Sequence, residues 1–277
     1  MKELMQIGWT WYPSVVVGFS IWTVCYCLAI GPLRRHFSWG EAPRLIQQMA
    51  FHGGTLIGLL ALVSPLDRLG DEYLFSAHMV QHLLLMFFTS PLWLAGMPGW
   101  LVDQILTKLP QILAGKITAL PVAFFSFVGV MWLWHIPAFF NLAQSDEGIH
   151  IFEHLTFIGG ALIGWWPIAG PSSTILSKPS APLRMIYIFF VTMACTGLAA
   201  LITFSTSPLY AFYRQAPRIL GLSPLEDQHL GGLLMWLPSH MILLLALGIT
   251  FLIWFQRDKN HPADKLASNP RFRSESR

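Results

Sequence analysis

The chain has 277 residues, enough for one domain or two, but its composition is more decisive than its length. Hydrophobic residues make up 54% and charged residues only 11%, with a mean hydropathy of +0.55. A soluble domain carries charge on about a quarter of its residues, so a soluble globular fold is excluded and a polytopic membrane protein is expected. The net charge of +3 implies no nucleic-acid partner, because the basic residues fall in loops and the tail, where membrane topology accounts for them.

Seven apolar runs approach the ~20 residues needed to cross a ~30 Å hydrocarbon layer. They fall near 13–32, 43–64, 73–96, 117–141, 148–169, 183–206 and 229–256. The expected fold is therefore an all-α bundle of seven transmembrane helices over 1–256, followed by a polar cytoplasmic tail over 257–277. The first run has no basic leader and no small-residue cleavage site, and Arg34 and Arg35 follow it directly, so it reads as an uncleaved helix. Cys25, Cys27 and Cys195 all lie inside apolar runs and suggest no disulfide framework.

Loop charges predict the orientation. Arg34, Arg35, Arg44, Lys108, Lys116, Lys178, Arg184 and the basic tail share one side. The other side has Lys2, Arg68, Arg214 and Arg218 together with Asp67, Asp71, Glu72, Asp146, Glu147, Glu226 and Asp227. The positive-inside rule then puts the N-terminus outside and the C-terminus in the cytoplasm. Residues 100–113 read as an interfacial helix, and the proline- and aromatic-rich segment 207–228 as a fold over the outer mouth of the bundle. Trp165-Trp166-Pro167 is expected to close the fifth run as an aromatic belt, and Pro238 to kink the seventh.

With this topology the histidines converge. His78 and His82 stand one turn apart on the third run, so they share a helix face. His135 lies near the outer end of the fourth run, His150 and His154 at the outer start of the fifth, and His229 at the outer start of the seventh. Structural histidines scattered for packing have no reason to gather at one depth on four helices. Ionisable groups in a membrane span are functional by default, and the cluster points to a metal or haem site. Glu153 and Asp227 are the adjacent carboxylates, as ligands or as partners that fix an imidazole. Imidazole suits copper, zinc and iron alike, and thioether selects Cu(I); Met79 and Met235 at the same depth tilt the choice towards copper.

Two other readings compete. His150-x-x-Glu153-His154 matches the inverted zinc-protease motif, which would make the chain an intramembrane zinc metalloprotease. Histidines from facing helices could instead hold haem in a membrane electron carrier. No other nucleophile or phosphate-binding loop is present to support turnover chemistry.

The blocks His78-Met79-Val80-Gln81-His82, His135-x-Pro137, His150-x-x-Glu153-His154, Trp165-Trp166-Pro167 and Asp227-Gln228-x-x-Gly231-Gly232-x-x-Met235-Trp236-x-Pro238 resemble the CtaG family of cytochrome c oxidase assembly factors. Trp11-Tyr12-Pro13 and Ser64-Pro65-Leu66-Asp67 fit as well. His229 departs from the pattern, standing where many relatives carry a second glutamine. The resemblance implies a multi-pass protein of the bacterial plasma membrane that is not an enzyme. Its partners would be the catalytic subunit of haem–copper oxidase, a periplasmic or extracellular copper donor, and membrane lipid. Its task would be to help mature the oxidase's copper centre.

Overall fold

The computed structural model describes residues 8–108, 110, 115–116, 119–171, 173–174 and 178–267, with side chains as far as residue 259. All regular structure among them is helical. In chain order the helices are α1 (Pro13–Phe37), α2 (Leu45–Val63), α3 (Pro65–Glu72), α4 (Phe75–Gly96), α5 (Gly99–Leu106), α6 (Leu120–Trp134), α7 (Pro137–Ser145), α8 (Glu147–Ala169), α9 (Ala181–Thr203), α10 (Ala211–Gln215) and α11 (Pro224–Ala267).

Five of these, α1, α2, α4, α9 and α11, are long and apolar enough to cross a membrane, and counting α6 with α7 as one broken span gives six. α8 has 23 residues, which at 1.5 Å per residue reaches about 34 Å. It is not among the six, because His150, Glu153 and His154 dilute its apolar character.

α4 is the central helix. Of its most apolar stretch 61% is buried, against 6% for α1, so α4 is enclosed by neighbours while α1 turns most of its surface outward. α8 packs beside it through a helical stripe of Glu153, His154, Phe157, Gly160, Ala161, Gly164 and Trp165, the i, i+3, i+4, i+7 pattern of a single face. At Gly160 a Cβ would collide with the carbonyl oxygen of Ser126, so only glycine lets α8 approach α6 this closely. α9 and α11 form an extensive helix pair, joined by Thr196 Oγ1 and His240 Nε2 at 2.6 Å.

Three spans carry a five-residue π-turn: Ala29–Leu33 in α1, Leu85–Thr89 in α4 and Phe125–Gly129 in α6. Pro32 lies inside the first, and Pro91 just after the second. Proline removes an amide donor, and a widened turn is one way to absorb it. The loosened carbonyl of Met86 is taken by the indole of Trp165, which donates to it at 2.8 Å. Trp165 is buried and is a core residue, which corrects its assignment to an aromatic belt.

The expected single helix over 117–141 is bent instead, by 74° between α6 and α7. Pro137 explains the break, since its ring disfavours helical geometry at Ile136, which is extended (φ −64°, ψ 126°). Further on, α11 continues as helix past Pro238, and Ser239 and His240 donate to the carbonyls of Met235 and Trp236. The polar stretch after Phe255 prolongs this helix to Ala267, because each residue added to an existing helix gains a hydrogen bond without a new nucleus. Of the expected interfacial helix over 100–113, the described part is α5; residues 109 and 111–114 lie outside the described residues.

One end of the bundle is roofed by α3 and the segment 207–223. Tyr210 and Tyr213 are buried there, the first stacked on Phe75 at 4.8 Å and donating to His135 O. Tyr213 donates to Gly70 O at 2.6 Å, and so fastens the roof to α3.

Candidate metal centre

The two helices with i, i+4 histidine pairs face one another beneath this roof. His78 and His82 on α4 have ring centroids 4.2 Å apart, and His150 and His154 on α8 are 4.5 Å apart. Across the interface His78 lies 5.4 Å from His150 and 5.9 Å from His154, and His82 lies 5.4 Å from His154. The start of α8 is fixed by Asp146, whose carboxylate accepts from Ile149 N at 2.9 Å. The bend at Pro137 turns His135 inward, where its ring centroid is 6.0 Å from that of His82.

Among the described residues, two groups of ligand atoms are close enough to share an ion. His78, His82 and His154 offer nitrogens all within 4.8 Å of one another, and so do the ligand atoms of Asp71, His78 and His150. His78 belongs to both. The first group is wholly buried. The second is nearer the surface, with side-chain exposures of 22% for Asp71 and 15% for His150. Asp71 Oδ1 is 3.8 Å from His78 Nδ1 and 3.7 Å from His150 Nε2. Beside the buried group, Glu153 Oε1 lies 3.7 Å from His82 Nε2.

The partnering of these atoms tests whether a metal fits. His78 Nε2, both ring nitrogens of His82, His154 Nε2, His150 Nε2 and both oxygens of Glu153 are buried without a hydrogen-bond partner in the protein. Each such orphan costs about 1–3 kcal/mol, and native structures contain few. Here they gather at one place, with three imidazoles within reach of a single centre and the Glu153 carboxylate beside one of them. Imidazole nitrogens bind zinc-sized ions at about 2.0–2.1 Å with carboxylate oxygen at a similar distance, so the residues present fit a transition-metal ion.

His135 is bound differently. Its Nδ1 donates to Met131 O at 2.6 Å, which leaves Nε2 with its lone pair facing Met79 Sδ at 3.3 Å. Two of the expected site residues are not brought to the cluster. Both oxygens of Asp227 are taken up at the start of α4, accepting from Phe75 N at 2.7 Å and from Ser76 N and Oγ at 3.1 and 2.5 Å. Asp227 is thus the N-terminal cap of the helix that carries His78 and His82. His229 Nε2 pairs with Ser205 O at 2.9 Å, and so ties α11 to the end of α9.

Sequence reasoning overlooked Asp71, which was read only as one of the acidic loop charges. Its signal was the Asp67-x-x-x-Asp71 spacing, which puts both carboxylates on one face of α3. Asp67 accepts from Thr10 Oγ1 at 2.7 Å and Gln81 Nε2 at 2.8 Å. Burial lifts its carboxyl to about 7, with Asp71 adding to the effect. Burial likewise raises Asp71 to about 6, and His150 beside it acts in the opposite sense.

A cavity of about 540 Å³ opens against the shallower group. Tyr12, Phe19, Trp22 and Trp93 supply aromatic walls, and Asp67, Asp71, His150 and His154 line its polar part.

The helices and their buried polar centre define a membrane bundle with a histidine-rich site near one end. Residues 24–257 match the family described as cytochrome c oxidase caa3 assembly factor (Caa3_CtaG), and the chain belongs to that family. It is also similar to an uncharacterized protein of Mycobacterium bovis and one of Mycobacterium tuberculosis, each 24% identical over 255 residues, covering 84% of this chain and 37% of the relative. A third uncharacterized protein, from Mycobacterium leprae, is 27% identical over 226 residues, or 73% of this chain and 34% of the relative. The chain therefore spans about a third of the length of these relatives. No solved structure matches it.

Proposed function

We propose that this chain carries a copper ion in its histidine cluster and passes it to the catalytic subunit of haem–copper oxidase during assembly. The family supports the assembly role. The observation that supports the metal is the buried triad of His78, His82 and His154 with its partnerless nitrogens. In this reading the protein crosses the bacterial plasma membrane seven times, with α6–α7 as one broken span and α8 as another. The N-terminus and the roofed end face outward, as the loop charges predict. A periplasmic or extracellular donor then meets the shallower group first.

The chemistry required is ligand exchange. Asp71, His150 and His78 receive the ion, and His78, His82 and His154 hold it out of water. Because His78 belongs to both groups, the ion moves between them without ever losing all its ligands. Glu153 supplies a negative charge beside the deeper position.

The test is elemental analysis with an optical spectrum on protein purified in mild detergent. Copper near one equivalent with no Soret band is expected. A Soret band would make the histidines haem ligands, and stoichiometric zinc would point to the protease reading; either would overturn the proposal. In cells lacking the protein, the oxidase catalytic subunit is expected to keep its haem and lose its copper.

A further inference from the structure

Beyond the histidine groups, further along α4, lies a second and much smaller cavity of about 20 Å³. That is room for one water-sized or ion-sized sphere. Four methionines (Met79, Met86, Met131 and Met235) and Cys195 line it, together with His82 and His135. The sulfur residues come from α4, α6, α9 and α11, and four of the chain's eleven methionines meet here.

Methionine often fills irregular gaps in a core because it is flexible and polarizable. That explanation does not account for a gap that remains after four methionines have converged on it. Nor does it account for His135. Since Nδ1 donates to Met131 O, Nε2 is an acceptor, and it faces the thioether of Met79 at 3.3 Å. Two lone-pair donors face each other there, with no proton assigned between them. In comparable zinc sites metal–nitrogen and metal–sulfur bonds of about 2.0 and 2.3 Å hold such atoms about 3.5 Å apart, close to the spacing found here. His82 faces both sites: it belongs to the histidine triad and also lines this cavity, and neither of its ring nitrogens has a partner.

We infer that this cavity is a second metal position, selective for Cu(I), in series with the histidine triad and joined to it through His82. The inference rests on the reading that the cluster handles a metal. Thioether and thiolate select Cu(I), whereas imidazole and carboxylate also accept zinc and Cu(II). The ligand character therefore softens along the row, from Asp71 and His150, through the all-imidazole triad, to the sulfur-lined cavity. An ion passing along the row is sorted by softness.

The full-length protein in detergent, kept anaerobic, is titrated with Cu(I) against a chromophoric Cu(I) chelator and, separately, with Zn(II). Copper X-ray absorption of the Cu(I)-loaded wild type is expected to show a sulfur shell. The Met235→Leu/Cys195→Ser variant is expected to lose about ten- to a hundredfold in Cu(I) affinity, comparable to the loss of other tuning contacts, with Zn(II) affinity unchanged. A shell of nitrogen and oxygen alone, or wild-type Cu(I) affinity in the variant, overturns the inference and leaves the histidine site standing. Zn(II) binding without Cu(I) binding does the same. Failure to bind either ion overturns both readings.

Discussion

Glu153 Oε1 stands 3.7 Å from His82 Nε2, and neither atom has a hydrogen-bond partner within the protein. Glu153 is fully buried. A carboxylate so placed is costly by itself and favourable beside a cation. Glu153→Gln keeps the shape and removes the charge. It is expected to weaken divalent metal binding about ten- to a hundredfold, as loss of a tuning partner does, without changing the stoichiometry. Competition titration against a chelator measures this, and an unchanged affinity would separate Glu153 from the site.

Asp71 should make metal uptake depend on pH. Its carboxyl titrates at about 6 because of burial, and only the ionised form attracts a cation. Loading measured by stopped-flow is expected to slow as pH falls from 7 through 6 to 5, and to depend less on pH in Asp71→Asn, where Asp67 is the carboxyl that still titrates in this range. The stability of the metal-free protein should move the other way. A carboxyl whose folded pKa is raised from 3.8 to about 6 stabilises the fold below pH 3.8, and that contribution is lost as pH rises through 6. Thermal midpoints between pH 4 and 7 should therefore fall more in the wild type than in Asp71→Asn.

Asp227 holds up the site from a distance. Its carboxylate caps α4 through Phe75 N, Ser76 N and Ser76 Oγ. Asp227→Ala removes a cap and leaves buried donors unpaired, a loss of about 2 kcal/mol. The thermal midpoint should drop while metal stoichiometry at low temperature stays the same. Loss of the metal with no loss of stability would instead make Asp227 a ligand.

Gly160 sets the distance between α8 and α6. A Cβ there meets the carbonyl oxygen of Ser126, which is backbone and cannot swing aside. Gly160→Ala is expected to cost about 1–3 kcal/mol, the usual range for overpacking, seen as a lower thermal midpoint. A midpoint equal to the wild type would show that the two helices have slack at this contact.

How much of this was legible in the sequence depended on how local the signal was. The i, i+4 spacing of His78 with His82 and of His150 with His154 fixed two helix faces, and apolar run lengths fixed the helices to within a few residues at most ends. The bend at Pro137 was written in the residue itself, yet a continuous apolar run hid it. The role of Asp227 was not legible, because its partners lie about 150 positions away in the chain. Asp71 was missed for a different reason: a carboxylate in a loop between spans looks like a solvated charge until α3 folds over the end of the bundle. The sulfur-lined cavity needed four helices in place before Met79, Met131, Cys195 and Met235 could be seen to share it.

The most direct test of the central claim is the copper content of the His78→Ala/His82→Ala protein after loading, beside the wild type. His78 belongs to both ligand groups and His82 to the deeper one. The wild type is expected to retain about one copper per chain at the histidine groups after exchange into chelator-free buffer. The variant, inserted in the membrane to the same level, is expected to lose it. An unchanged copper stoichiometry in the double variant would contradict the account, whatever the oxidase phenotype.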